Sequence, residues 1–549
     1  MPATATIIDV PVLIIGAGPV GLTARALLHR WEVPTLLVER YPELSPFPRS
    51  RLVNVRTMEI FHQLGVAAAI TARAFRPEFG RIRFSDSVAT PDYASAGMVG
   101  VNEPIPESPV LGVVSSQDRL EPVLAGAATS ELRFGHEVVD LAEQSDSVLV
   151  SVLDRASGET YCIRAGHVIA ADGANSPTRG LLGIGTAGPG TLGEAVTIVF
   201  DADLAPWWGD RPAGVYSTAG GGFLPVYPEG TWALIMPLPA GGGPTEWRDV
   251  VLAALGVDVD VEVLRVQHWT MHAFVAERFG AGRVLLAGDA AHAIPPSGGL
   301  GMNIGVGDVH NLCWKLAGVL HGWAGPQLLD TYDVERRPVA HSTLVQATAN
   351  AQLSWQVTAR RREQLDAGLP SDGQLPWSER YFAQLGQVLG VSYESAAVHP
   401  DGTTAPEGED AGTEYLPVAR PGHRMPHLLL PDGRSTLDVL GEWFTLFTAD
   451  PDGWSVTGPW PVHVEALPAE HLAACDIGAH GAVLVRPDGH VAARWSDRPA
   501  EGDIRSVLAD ISAAQAAPCL VDHGQTSSVD LRQRRFAHDQ RPAARTSTG

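Results

Sequence analysis

Asp289 follows a short apolar run, Val284 to Ala287, and precedes a loop carrying Pro295, Pro296, Gly298, Gly299 and Gly301. A carboxylate at a strand end is placed to accept hydrogen bonds from the hydroxyl groups of a ribose or ribityl chain. From Met302 onward Ile304, Val309, Leu312 and Leu316 recur every three to five residues, the spacing of one helix face. The segment therefore reads strand, acidic turn, Pro/Gly loop, helix. Unpaired backbone N–H groups at a helix start suit an electron-rich ligand edge, and glycines let the backbone approach it closely. An ordinary Pro/Gly-rich loop between a strand and a helix explains any one of these residues taken alone.

A second constellation lies near the N-terminus. The apolar run Val10 to Ile15 leads into Gly16-Ala17-Gly18-Pro19-Val20-Gly21, after which Ala24, Leu27, Leu28 and Trp31 fall at helical spacing. Another apolar run, Thr35 to Val38, ends in Glu39-Arg40. This is a βαβ unit with a G-x-G-x-x-G turn and an acid near the ~20-residue distance expected of dinucleotide-binding units. The glycines permit a tight turn, close pyrophosphate approach and helix packing, and Glu39 would hold a ribose hydroxyl pair. The fingerprint by itself does not choose between NAD and FAD.

The string from Gly288 to Asn303 resembles the G-D-A-A-H-x-x-P-P-x-G-G-x-G-x-N signature of the FAD-dependent aromatic hydroxylases, the class A flavoprotein monooxygenases. Pro48 to Arg51 with Arg56-Thr57-Met58-Glu59, Gln117 to Glu121, Asp172 to Arg179, and Leu329 to Pro338 are similar to further elements of that family, in the family's order. The resemblance implies that FAD is held by Gly16, Gly18, Pro19, Gly21, Glu39, Arg40, Arg49, Gln117, Asp172 and Asp289, together with Pro296, Gly299, Gly301, Met302 and Asn303. It implies a flavin-edge loop whose backbone at Pro295, Pro296 and Gly299 takes part in catalysis, and a nicotinamide path past Arg49, Asp172 and Arg179. Asp172 and Ser176 also read as helix caps.

The implied reaction is reduction of FAD by NADPH or NADH, formation of a flavin hydroperoxide from dioxygen, and hydroxylation of a polycyclic, polyketide-type aromatic in antibiotic biosynthesis. The same scaffold serves Baeyer–Villiger and ring-cleaving oxidation. A flavin-binding protein that only stabilises a reactive intermediate is the alternative outside catalysis. A flavin halogenase would need a W-x-W-x-I-P motif, and a disulfide reductase a cysteine pair near the first helix; neither is present.

These motifs need elements to position them. The pattern predicts an α/β chain: a Rossmann-type, glutathione-reductase-like FAD domain (1–185 and 280–395) with an inserted, mostly antiparallel substrate sheet (75–110 and 190–279). In the insert, Phe200, Trp208, Tyr216 and Phe223 read as core or as a substrate wall, with core favoured. Residues 367–412 read as a linker with a helical patch around Phe382 to Leu389. Residues 412–515 resemble the C-terminal thioredoxin-like domain of the larger aromatic hydroxylases. After its first strand stands Asp450-Pro451-Asp452-Gly453-Trp454, without a cysteine pair, so disulfide exchange is excluded and a structural or dimer-related role is expected. The polar stretch 519–549 reads as a disordered tail.

Composition agrees. The 549 residues carry 39 basic and 62 acidic side chains, a net charge of −23, which argues against nucleic acid or an anionic membrane as partner. Lys315 is the only lysine. Four scattered cysteines show neither metal-ligand nor disulfide spacing, and neither a signal peptide nor an apolar span of ~20 residues is visible. A cytoplasmic monomer or homodimer acting on a small aromatic molecule and dioxygen is the expectation.

Overall fold

The strand Ile7–Ile15 is covered on both faces: Val12 and Ile14 enter one buried cluster and Leu13 and Ile15 another. That is why its sequence is a continuous apolar run rather than an alternation. The computed structural model describes residues 7–239, 246–369, 384–404 and 414–513. In it this strand pairs in parallel with Thr160–Ala170 on one side and Thr35–Glu39 on the other. Val284–Leu286 and Glu131–Phe134 extend the parallel sheet outward, and His136–Glu143 with Val148–Asp154 adds an antiparallel flap. The register sets Ile15 beside both Val38 and Ala170, and Ala170 beside Leu286. Gly16, Glu39, Asp172 and Asp289 therefore leave one edge of the sheet together, the carboxyl edge where open α/β sheets bind ligands.

A second sheet of eight strands, mostly antiparallel, stands over that edge, with Thr186–Asp201, Gly230–Pro237, Gly221–Tyr227 and Glu262–Ala276 among its members. Arg81–Ser85 and Asp92–Gly97 form its far margin. Phe200, Trp208, Tyr216 and Phe223 turn away from the first sheet and pack with Val251 and Leu255 of the helix Trp247–Leu255. These aromatics are core.

The third sheet orders Val462–Ala466, Phe444–Thr448, Ala482–Val485 and Val491–Trp495, with only the first pair parallel, and the helix Glu501–Ile511 follows. This is the thioredoxin-like arrangement. In place of a cysteine-bearing helix after its first strand there is a single 3-10 turn, Pro451–Gly453. Cys475 lies in the core, where burial pushes its thiol up to about 11. Cys519 and the tail 519–549 lie outside the described residues, as do 370–383 and 405–413 of the expected linker.

The described part of that linker is not loose. Leu385–Leu389 of its helical patch is helical, Phe382 and Ala383 lie outside the described residues, and Leu389, Tyr393 and Ala397 are buried. Tyr393 supplies what a low-hydrophobicity reading overlooks, because its hydroxyl accepts from Arg336 Nη1 at 3.0 Å.

Buried charges join the region of the third sheet to the helices Val55–Gln63, Gly301–His321 and Asp330–Asp366. Arg486 holds Glu335 through both carboxylate oxygens (2.7 and 2.9 Å) and also contacts Asp488. Lys315 donates to the same Glu335 at 2.7 Å, and all four side chains are at most 1% exposed. Arg424 pairs with Glu59, which also takes a bond from Arg56. Burial alone would raise the Glu59 carboxyl, but Arg424 and Arg56 outweigh it and hold it below its usual range. An unpaired charge left in such a place costs about 3–5 kcal/mol. Arg424→Met leaves Glu59 with Arg56 and Ser108 alone and is expected to destabilise the protein by up to that amount, seen as a lower urea midpoint in tryptophan fluorescence.

Candidate active site

The carboxyl edge of the first sheet opens into a cavity of about 1300 Å³ that continues beneath the second sheet. Pockets for one drug-sized ligand are roughly 300–1,000 Å³, so this one has room for a dinucleotide and a further molecule.

Its first end is the glycine turn. Gly16 has φ +102°, and a Cβ there would lie 2.4 Å from the Ala171 carbonyl oxygen, so only glycine fits. A Cβ on Gly18 would meet nothing within 4 Å, leaving the backbone open to a ligand. The helix Pro19–Arg30 begins there without a side-chain cap, and its free N–H groups face whatever binds. Gly21 does not line the cavity; its Cβ would strike the Gly16 carbonyl at 2.0 Å, so its place is close packing of helix on turn. Glu39 accepts from Ala17 N at 2.7 Å and Tyr41 N at 2.9 Å, which fixes its carboxylate at the cavity wall beside Arg40.

Midway stand Arg49, Gln117 and Asp289. The Asp289 carboxylate is exposed into the cavity and has no hydrogen-bond partner among the described residues. Desolvation raises its pKa, opposed by the charges of His292 and Arg49. An acceptor held without a donor is what a hydroxyl-bearing ligand would complete. Behind it, Asp308 is fully buried and accepts from Gly288 N (3.0 Å), His292 Nε2 (2.7 Å) and Arg336 Nε (2.8 Å).

The flavin-edge expectation needs correcting at three residues. Pro295 is buried and does not line the cavity, and neither Pro295 nor Pro296 has an N–H to donate. The Gly299 N–H is committed to the Pro296 carbonyl at 3.0 Å. The backbone donors available to a ligand are instead those of Gly301 and Met302, which line the cavity at the uncapped start of the helix Gly301–His321. Asn303 does not face the cavity: it donates to the Leu52 and Gly299 carbonyls (2.9 and 2.7 Å) and accepts from Asn54 N (2.9 Å), locking the loop in place.

The expected nicotinamide path also changes. Arg49 and Asp172 line the cavity, but Arg179 does not. Its guanidinium donates to the Ala290 and Ala174 carbonyls, both at 2.8 Å, over the Phe274 ring. Asp172 accepts from Ser176 Oγ (2.5 Å) and Thr178 N (3.0 Å), while Ser176 Oγ accepts from Arg179 N (2.9 Å), so the capping reading holds in full.

The far end is apolar and had no residue assigned from sequence. Leu224, Ile235, Trp269 and Met271 wall it, with Gln267 among them, and Trp269 Nε1 donates to Thr197 Oγ1 at 3.1 Å. Strand alternation was the signal that could have found them: Phe223 and Leu234 point to the core, so Leu224 and Ile235 must point to the other face. Arg51 enters from the side, donating to the Gly214 carbonyl at 2.8 Å; with no carboxylate beside it, burial lowers its guanidinium to about 9.

Known proteins share this plan. The profile of an FAD-binding domain matches residues 9–347, and that of the C-terminal domain of aromatic-ring hydroxylases matches residues 418–514. The chain is 34% identical to the 4-methyl-5-nitrocatechol 5-monooxygenase of a Burkholderia species, over 93% of this chain and 98% of that protein. It is also 34% identical to the aklavinone 12-hydroxylase of Streptomyces purpurascens, over 91% and 99%. The crystal structure of the flavin-dependent monooxygenase PieE with FAD and substrate superimposes with a TM-score of 0.84 at 33% identity, covering 92% of this chain and 99% of that one.

Because Asp289 has no hydrogen-bond partner among the described residues, Asp289→Asn should act on the ligand alone. A charged acceptor is worth about 1.5–3 kcal/mol, so the FAD dissociation constant should rise about 10- to 150-fold in a fluorescence titration. The melting temperature of the apoprotein should stay level or rise.

Proposed function

Because the chain belongs to the FAD-binding aromatic-ring hydroxylase family and is a flavin-dependent aromatic monooxygenase, we propose that it hydroxylates a polycyclic, polyketide-type aromatic with NADPH or NADH as electron source. The observation that carries this reading is the continuity of the cavity from the glycine turn, past Asp289, to the apolar wall of Leu224, Ile235, Trp269 and Met271. One end suits a dinucleotide and the other a flat, apolar ring system.

Bound FAD would supply the redox chemistry, taking electrons from the nicotinamide and using dioxygen to oxidise the ring. The chain's own residues do the rest. Gly16, Gly18 and the start of the helix Pro19–Arg30 would receive the diphosphate, Glu39 the adenosine ribose, and Asp289 the ribityl hydroxyls. The N–H groups of Gly301 and Met302 would serve the electron-rich part of a bound flavin, because fixed backbone dipoles stabilise negative charge without reorganising. Trp269 and its neighbours hold the substrate and exclude water, which would otherwise waste the activated oxygen.

Of the G-x-G-x-x-G strings in the sequence, Gly16 to Gly21 follows a parallel strand and opens a helix, whereas Gly183 to Gly188 and Gly188 to Gly193 run into the strand Thr186–Asp201, so the nicotinamide cofactor would dock transiently past Arg49 rather than in a second Rossmann unit. A cytoplasmic setting would supply it. If the aromatic substrate favours the flavin position that the nicotinamide can reach, it accelerates reduction; moving that population from ~1% to ~50% requires about 2.7 kcal/mol of differential binding. The test is anaerobic stopped-flow reduction of the flavin by NADPH, with and without a polyphenolic substrate such as an anthracyclinone. Substrate should accelerate reduction at least tenfold, and labelled dioxygen should leave one oxygen atom in the product.

A further inference from the structure

Two acids of the cavity wall are held in opposite ways. Glu39 receives two backbone N–H groups. Glu121, four residues into the helix Gln117–Gly126, is 1% exposed; its Oε1 accepts from Gln117 Nε2 at 2.7 Å, and its Oε2 has no partner. No arginine, lysine or histidine forms an ion pair with it among the described residues. A carboxylate taken out of water needs several donors or a cation to stay charged, and one amide N–H is too little.

From this geometry we infer that Glu121 works in the FAD-bound enzyme as a neutral carboxylic acid, a positioning residue that orients Gln117 and takes up a proton when the cofactor binds. The inference rests on the cavity taking FAD. Gln117 is held at both ends of its amide: Nε2 faces Glu121, and Oε1 accepts from Ser50 N at 3.3 Å. This sets which amide end meets each partner and ties the helix start to the loop carrying Arg49.

The groups facing Glu121 come from three elements. Gln117 lies on its own helix, Glu39 ends the second strand, and Arg49 and the Ser45 backbone lie in the loop beyond, where the Ser45 amide faces the carboxyl without reaching hydrogen-bonding geometry. Burial pushes the Glu121 carboxyl up to about 7; Gln117, Arg49 and Ser45 oppose the shift and Glu39 reinforces it. A bound diphosphate would add negative charge to the cavity that Glu121 and Arg49 both line, so the bound form would hold the proton more tightly than the free form. Binding then consumes a proton wherever the free protein has lost it, and affinity falls as pH rises above about 7, by up to tenfold per pH unit.

The experiment is titration of apoprotein with FAD by fluorescence quenching from pH 6 to 9, on wild type, Glu121→Gln and Glu121→Ala, each checked by circular dichroism. Wild type should weaken about tenfold or more between pH 7 and 9. Glu121→Gln, an uncharged mimic of the acid, should bind within threefold of the wild-type value at pH 6 and keep that affinity to pH 9. Glu121→Ala, which frees the Gln117 amide, should bind more weakly at every pH. Parallel profiles for wild type and Glu121→Gln, or a loss beyond tenfold for Glu121→Gln at pH 6, would overturn the inference while leaving FAD binding intact. Absence of FAD binding by wild type at all pH values would overturn the cofactor reading and this inference with it.

Discussion

One buried carboxylate, Asp308, joins the parts of this molecule. It receives the Gly288 N–H that opens the turn before Asp289, the imidazole of His292 that follows that turn, and the guanidinium of Arg336 from the long helix Asp330–Asp366. A charge at zero exposure is tolerated only when fully supplied with donors. Burial would raise the Asp308 carboxyl, but His292 and Arg336 outweigh it and hold it low. The turn, the loop beyond it and both long helices are thus fixed relative to one another by a single group, and Asp289 is presented at a defined place on the sheet edge.

The same chain of contacts runs on into the C-terminal sheet. Arg336 donates to the Tyr393 hydroxyl, the Arg486 guanidinium lies 5.2 Å from the Tyr393 ring centroid, and Arg486 grips Glu335 beside Arg336. The thioredoxin-like domain, which carries no cysteine pair after its first strand, neutralises charges that the first domain buries: Arg486 pairs with Glu335, and Arg424 with Glu59. The only lysine of the chain belongs to that cluster: Lys315 is enclosed with Glu335 and Asn311 rather than placed in the cavity. A catalytic role of the halogenase kind is therefore foreign to it.

The cavity divides by the origin of its walls. The end made by strand termini and helix starts is rich in backbone donors and carboxylates, because parallel strands leave their polar ends at one edge. The end made by the face of the second sheet is apolar, because alternate residues of antiparallel strands point to one side and the other side is filled by Trp208, Tyr216 and Phe223. The charged end thus meets the apolar end at Arg49, Arg51 and the loop Pro296 to Gly301.

Residues whose placement depends on local backbone geometry were legible in the sequence. Gly16, Gly18, Glu39 and Asp289 belong to short strand–turn–helix units whose spacing fixes their positions, so the βαβ unit and the acidic turn could be read without coordinates. The capping of Asp172 and Ser176 was legible for the same reason. Tertiary structure decided what depends on partners distant in the chain. It turned Arg179 from the cavity toward two backbone carbonyls, spent the Gly299 N–H on Pro296, and gave Asn303 to the loop rather than to a ligand. It also chose Trp269 and Met271 as wall, and left Glu121 with one donor where Glu39 has two. Sequence spacing specifies a turn because the turn is made by neighbours, whereas the direction of a side chain and the company of a buried charge are set by which distant elements pack against it.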